Sequence, residues 1–366
     1  MARAARRSDT PREDGSPGDP DALEGVPAPR AQTALFGHRE AEATLLEAYR
    51  SGRLHHGWIL GGPRGIGKAT LALRFARFVL ANPDPSAPAV QAARDLSVDP
   101  ACAAARLVAG GAHPDLLHLQ RPWDDKARRF RTEITVDEVR RLVPFFGSTA
   151  GAGGYRVALV DAADDLNTNA ANALLKMLEE PPSKGLFLLV SHAPGRLLAT
   201  IRSRARRQLL RPLADGDVAA ALAAFGPGGD RAALEHAVAT CEGSVRRAVT
   251  ALNGGGLDLE AALAPVLGQL GAPDPRAVNA LADLVSAREA GEAWDLALDR
   301  LRAFMAAVVR QGAEAGAPAI ALNVWAEVWD RLEATVARTE GFNLDRRQAM
   351  LAIVRDMSAA ARAAAG

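Results

Sequence analysis

Apolar positions follow three regimes along this chain. Met1 to Gln32 is rich in Pro, Gly, Asp and Arg, has no period, and reads as a disordered tail. From Thr33 to about Pro212, short apolar runs alternate with stretches of helical spacing. "FGHREAEATLLEAYRSGRL" predicts a helix and "HGWIL" a short strand, while "KATLALRFARFVLA" predicts a helix with Leu71, Phe75, Phe78 and Val79 on one face. Asn82 to Ala112 is looser; "DLLHLQ" then predicts a strand and "RPWDDKARRFRTE" a solvated hairpin or loop. "ITVDEVRRLVPFF" reads as one helix with Val136, Val139, Leu142 and Val143 inward, and "YRVALVDAADDL" as a buried strand ending in an acid. "NTNAANALLKMLEEPP" is a helix with Ala171, Leu174, Leu175 and Leu178 inward, stopped by Pro181 and Pro182. "GLFLLVSHAP" is another strand, and "GRLLATIRSRARRQLLRPL" brings a short helix, an arginine cluster and a last strand.

Strands alternating with helices predict an α/β domain with a parallel sheet. Beyond Asp215 only the helical period remains, with a break at "NGGG". Trp294, Leu298, Leu301, Met305 and Val308 form one stripe, and Leu322, Trp325, Trp329, Leu332 and Val336 another, as the core of a helical bundle requires.

At 366 residues there is room for two or three domains with real cores. A net charge of +1 gives no global push toward nucleic acid or membrane. Cys102 and Cys241 stand far apart, which argues against a disulfide framework and a zinc site. With no signal-peptide pattern and no run of about 18 apolar residues, the expected location is the cytoplasm and no membrane is expected among the partners. Four lysines stand against 40 arginines, so a retained lysine marks a place where a compact ammonium serves better than a planar fork.

One such lysine is Lys68, in "GGPRGIGKAT". The spacing G-x-x-x-x-G-K from Gly62 to Lys68, after a strand and before a helix, is that of a phosphate-binding loop. Gly62, Gly65 and Gly67 allow the tight wrap, and Lys68 reaches terminal phosphates. Ala69 stands where a magnesium-binding hydroxyl is expected. Thr70 cannot simply replace it, since one helical step turns a side chain by about 100°; contact with an inner phosphate is its expected role. Asp161 ends an apolar strand, as the metal-linked acid of such folds does, but Ala162 follows where a water-orienting glutamate is usual. Asp164 and Asp165 are expected to cap the following helix or face solvent. His192 is a lesser candidate for a catalytic base, His113 is expected to cap a turn, and Arg246 in "GSVRRAV" begins a helix that could reach across to nucleotide. Arg202, Arg204, Arg206 and Arg207 are expected to share one face of a strand-like segment. Three readings of that cluster stay open on the residues alone: a charged solvated edge, a nucleic-acid patch and an arginine finger.

Together these motifs resemble the clamp-loader branch of the AAA+ ATPases. The resemblance rests on "RLHHGWILGGPRGIGKAT", "GAHPDLLHL", "ITVDEVR", "NAANALLKMLEEPP", "FLLVSHAP", "RLLATIRSR" and "GSVRRAV". It is close from about Phe36 to Asn253 and only general beyond, where "NLDRRQAML" suits a collar domain. Within the branch the chain is more similar to the delta-prime type of bacterial DNA polymerase III than to the gamma/tau motors. Those motors carry Thr after the loop lysine, Glu after the strand-end Asp, and a four-cysteine zinc module; this chain has Ala69, Ala162 and, in that region, only Cys102. The family's Ser-Arg-Cys motif falls on Ser203, Arg204 and Ala205.

The resemblance implies a tail over 1–32, a RecA-like AAA+ P-loop domain over 33–212, a small helical lid over 213–256 and an all-α collar over 257–366. It implies a degenerate ATP site, with Gly62, Gly65, Gly67, Lys68, Thr70, Asp161 and Arg246 toward the nucleotide, ATP bound weakly or without hydrolysis, and no zinc. Arg204 becomes an arginine finger acting in trans on a neighbouring ATPase subunit. The implied partners are gamma/tau and delta subunits, the sliding clamp, and primed DNA through the assembly. An active gamma/tau-like ATPase using Thr70, or a free-standing P-loop kinase or regulatory NTPase, remain as alternatives.

Overall fold

The apolar runs do pair in parallel. The computed structural model describes residues 18–23, 25–126, 129–147, 154–253, 255–287, 291–342 and 344–365. The chain divides into two compact units, Met1–Val249 and Thr250–Gly366.

The first unit opens with helix α1 (Arg39–Arg50), strand β1 (Gly57–Gly61), helix α2 (Lys68–Ala81) and two short helices, α3 (Pro88–Ala92) and α4 (Ala103–Ala109). Strand β2 (Leu116–Leu119), a two-stranded ribbon of β3 (Trp123–Asp124) and β4 (Arg129–Phe130), and helices α5 (Val136–Arg140) and α6 (Leu142–Gly147) follow. Then come β5 (Arg156–Val160), α7 (Thr168–Glu179), β6 (Gly185–Ser191), α8 (Ala199–Ser203) and β7 (Arg206–Leu209). Five strands form one sheet in the order β2-β5-β6-β1-β7, every pair parallel.

The uninterrupted apolar runs have a simple cause: the central strands are covered on both faces. Trp58, Leu60, Leu159 and Leu188 pack toward Leu45 and Tyr49 of α1 and Leu71 and Phe75 of α2. Ile59, Val160, Phe187 and Leu189 pack on the other side with Val139 of α5 and Leu174 of α7. Helix α7 begins where Asn167 Oδ1 accepts the Ala170 amide at 3.0 Å, an ordinary N-cap.

Two expectations fail locally. "ITVDEVRRLVPFF" is two helices broken at Arg141, because Pro144 has no N–H to give the Arg140 carbonyl. Val139 and Leu142 face the core, but Val143 turns out to solvent at 61% exposure. Likewise, of the stretch read as a disordered tail over 1–32, the described residues 18–23 and 25–32 are seated against the first unit; residues 1–17 and 24 lie outside the described residues. Arg77 donates to the carbonyls of Arg30 and Gln32 at 2.7 and 3.2 Å, and Arg64 holds Asp21. A polar, proline-rich segment without a core of its own is ordered here because the folded unit supplies its hydrogen-bond partners.

Three helices follow the sheet: α9 (Asp215–Phe225), α10 (Arg231–Thr240) and α11 (Val245–Leu252). The second unit is built from α12 (Gly255–Gly268), α13 (Pro275–Ser286), α14 (Gly291–Glu314), α15 (Ala319–Gly341) and α16 (Arg346–Ala365). Both tryptophan stripes feed its core: Trp294, Leu301, Met305, Trp325 and Leu332 lie with Met350 and Met357 in one cluster. None of the described helices is long and apolar enough to cross a membrane.

Candidate functional site

Parallel pairing places the carboxyl ends of β2, β5, β6 and β1 along one edge of the sheet, where open α/β folds bind ligands. Arg121 follows β2, Asp161 follows β5, Ser191 and His192 end β6, and the loop from Gly62 to Gly67 leaves β1. The loop's glycines are needed by shape. A Cβ on Gly62 would lie 2.4 Å from the Leu210 carbonyl oxygen, and one on Gly65 would lie 2.4 Å from Ser244 Oγ. Gly67 precedes α2 with no side chain to cap it, so the free amides of the first helical turn face the loop.

Lys68 is buried, its ammonium donating to the carbonyls of Gly62 at 2.7 Å and Pro63 at 2.5 Å. Burial pushes it down to about 8, against the pull of Asp164 and Asp161. Thr70, Asp161, His192 and Arg246 line the same cavity of about 170 Å³, together with Arg64 and Lys68. The structure thus brings the predicted residues of the loop, Thr70, Asp161 and Arg246 to one place. Asp161 turns toward His118, 3.6 Å away. The start of α11 touches the loop directly: Ser244 Oγ donates to the Arg64 carbonyl at 3.0 Å and the Arg246 amide to the Gly65 carbonyl at 3.3 Å.

Neither Asp164 nor Asp165 caps α7, which Asn167 does; Asp164 is exposed to solvent as expected, but its carboxylate is also engaged. Asp164 Oδ1 accepts from Ser191 Oγ and the Ala193 amide, both at 3.0 Å, and Oδ2 from the His192 amide at 2.6 Å. It ties the end of β6 to the turn after β5. Asp165 pairs with Arg121 at 3.3 Å; burial raises its carboxyl to about 7 despite that guanidinium. The His192 imidazole is held well below its ordinary value by burial and then by Lys68 and Arg64, which leaves it neutral. His113 Nδ1 accepts the Asp115 amide at 3.1 Å, the turn role expected of it.

Sequence reasoning missed four contributors. His38 Nε2 lies 2.6 Å from the Ile66 carbonyl and braces the loop from α1. Arg64 and Arg121 both reach Asp21 Oδ1, at 2.6 and 3.4 Å, while Arg246 Nη1 donates to the Asp21 carbonyl at 2.8 Å. Arg64 sat in plain view inside the loop motif; Asp21 lay in a segment whose composition hid it.

The arginine cluster is not one strand face. Arg202 belongs to α8, Arg204 caps its end, and Arg206 and Arg207 are successive residues of β7, so their side chains take different directions. Arg206 lies over the Trp58 ring, 5.4 Å from its centroid. Arg204 stands against Gly57, the first residue of β1, where a Cβ would lie 3.3 Å from the Arg204 carbonyl oxygen. The loop leaves the other end of that five-residue strand, roughly 13 Å along the sheet at about 3.3 Å per residue. Arg204 is therefore absent from the lining of its own chain's cavity.

The phosphate end of this site fits a nucleotide's polyphosphate: helix amides, a loop lysine and arginines converge there. The metal end fits less well, since Ala69 offers no oxygen.

Residues 37–214 match the family model described as DNA polymerase III, delta subunit. The chain is 42% identical to DNA polymerase III subunit delta' of Pseudomonas aeruginosa over 153 residues, 42% of each chain. It is 33% identical to the same subunit of Escherichia coli over 168 residues, 46% of each chain. A DNA polymerase III subunit gamma/tau of Mycobacterium tuberculosis is 29% identical over 269 residues, 72% of this chain and 44% of that one. The matches span less than half the length of these relatives. Over the matched segment the chain is similar to delta' subunits and, at lower identity, to gamma/tau subunits.

Proposed function

We propose that this chain acts as the delta-prime-type subunit of a DNA polymerase III clamp loader, helping to place the sliding clamp on primed DNA beside gamma/tau and delta subunits. It binds nucleotide weakly or without turnover and lends Arg204 to the ATP site of a neighbour. In this reading the helices after Leu213 form the lid, and the helical segment from about 257 onward is the collar through which subunits assemble.

The observation that carries the proposal is a separation. The loop that would hold nucleotide lies at one end of β1 and is flanked by alanines at 69 and 162, while Arg204 lies at the other end. A cation so placed serves an adjacent subunit's phosphates, not its own. ATP, when bound, supplies a triphosphate whose charge the site must neutralise. Lys68 and the α2 amides hold it, Arg246 reaches in from the lid side, and Asp164 keeps His192 and Ser191 in place beside them. Lacking a hydroxyl at 69 and an acid at 162, the chain positions neither metal nor water well.

The test is reconstitution with gamma/tau and delta partners. The complex should form and load clamp on primed DNA, and Arg204→Ala should lower its ATPase while this chain alone hydrolyses nothing measurable. Failure to join gamma/tau by gel filtration would overturn the assignment.

A further inference from the structure

Resting on the reading that the loop from Gly62 to Lys68 binds nucleotide, we propose that Arg64, Arg121 and Arg246 form a cradle for terminal phosphates and that the chain's own Asp21 fills it. The segment around Asp21 is then an internal competitor of nucleotide.

Three observations converge. First, the Asp21 carboxylate takes Arg64 at 2.6 Å and Arg121 at 3.4 Å, and its carbonyl takes Arg246 at 2.8 Å. These guanidiniums come from three places far apart in sequence: the P-loop itself, the end of β2, and the start of α11. An anion between Arg64 and Arg121 offsets the repulsion of the cations gathered there, with Asp165 sharing Arg121 from the other side. Burial raises the cost of the Asp21 charge, yet the arginines hold its carboxyl far below the usual range.

Second, the segment lies inside the site. Asp19, Ala22, Leu23 and Val26 line the same cavity as Lys68 and Asp161. What remains is about 170 Å³, below the roughly 300–1,000 Å³ of pockets that take drug-sized ligands. A nucleotide enters only if this stretch moves. Third, the segment is held by polar contacts that a phosphate can replace. The Asp19 carboxylate adds one such contact to the sheet edge, from Gln120 at 3.4 Å; its other, from the Asp21 amide at 3.1 Å, lies within the segment and moves with it.

A carboxylate carries one charge and two oxygens; a terminal phosphate carries more of both and matches the same guanidinium forks. Arg121 gains a defined role on this view. Asp165 orients it from the turn after β5, and it reads phosphate from the edge of the sheet. If the segment is docked more than about nine-tenths of the time, apparent nucleotide affinity is reduced about tenfold or more.

The experiment measures binding of ATP and of inorganic tripolyphosphate to the full chain, to Asp21→Ala and to the shape-preserving Asp21→Asn, with circular dichroism to establish folding. Both substitutions should tighten both ligands about tenfold. Adding Arg121→Ala to Asp21→Ala should reverse much of the gain. Hydrogen exchange of amides 19–23 in the unsubstituted chain should rise when ATP or tripolyphosphate is added. Equal, measurable affinity in all three forms overturns the internal competitor and leaves the nucleotide reading standing. A gain for ATP but not tripolyphosphate overturns the phosphate cradle, as does continued protection of 19–23 at saturating ATP. Binding by none of the forms overturns the nucleotide reading and the competition with it.

Discussion

Glu179 Oε1 lies 2.7 Å from Arg204 Nη2. The contact joins two motifs that stand apart in sequence, the end of "NALLKMLEE" on α7 and "IRSR" at the end of α8. Arg204 also donates to the Thr200 carbonyl at 3.1 Å. Both side chains of the pair are about two-fifths exposed, so the pair adds little to folding and mainly sets where the guanidinium points.

Arg204→Ala should therefore leave thermal stability and subunit assembly nearly unchanged. It should lower ATPase activity of the reconstituted complex by a part only, since an arginine finger is worth about 10³–10⁵ at the one site it serves. Arg206→Ala and Arg207→Ala should do much less at moderate salt. Steady-state phosphate release by the three complexes reads the difference; equal, salt-dependent losses would point to a phosphate-backbone patch.

A second expectation concerns turnover. The isolated chain should hydrolyse ATP negligibly, and its nucleotide affinity should barely depend on magnesium, because Ala69 supplies no ligand. Ala69→Thr should restore a magnesium dependence of binding without restoring hydrolysis, since position 162 still lacks an acid. Titrations with magnesium and with a chelator check this. A hundredfold improvement by magnesium in the unsubstituted chain would mean that another oxygen takes the hydroxyl's place.

The P-loop, the parallel sheet and the tryptophan core were legible because each rests on local rules. A buried parallel strand needs an unbroken apolar run, a phosphate loop needs glycines at fixed spacing, and a bundle helix needs its stripe. What stayed hidden depends on contacts across the fold. Asp164 looks like a helix cap until β6 is placed beside β5, which brings the Ser191, His192 and Ala193 donors to it. Asp21 and Arg64 are 43 residues apart, and no periodicity marks a single carboxylate inside a polar segment. Val143 failed for a local reason: Pro144 sits in the first turn of a new helix, α6, and the register of α5 is not carried past Arg141.

Asp164 offers a third test. Its carboxylate gathers two amides and a hydroxyl at the end of β6. Asp164→Ala leaves those donors to water or to nothing, at a cost of about 1 kcal/mol or somewhat more. Thermal melting should show a drop of a few degrees, consistent with that figure for a unit of this size. Asp164→Asn should lose less, because its carbonyl oxygen still accepts. Identical melting of both variants and the unsubstituted chain would mean that the tie at the end of β6 contributes nothing.

Lys68 provides a test by protons. Burial has pushed its ammonium down to about 8, from an ordinary value of about 10.4. The folded chain thus binds fewer protons than the unfolded chain between those values, so this group's penalty on folding is full below about pH 8 and is relieved as pH rises toward 10.4. Ligand binding runs the other way. A phosphate beside the ammonium favours the charged form, so binding above pH 8 must draw a proton from solution. Uptake should be close to zero at pH 7 and approach one proton near pH 9, and affinity should fall with rising pH through that window. Calorimetric titrations with tripolyphosphate in buffers of different ionisation enthalpy measure the uptake directly. Lys68→Arg keeps a cation that does not titrate there and should abolish the uptake while retaining some binding; Lys68→Met should lose both. Proton uptake that survives Lys68→Arg would assign the titration to another group in the site, with the raised carboxyl of Asp165 the first to examine.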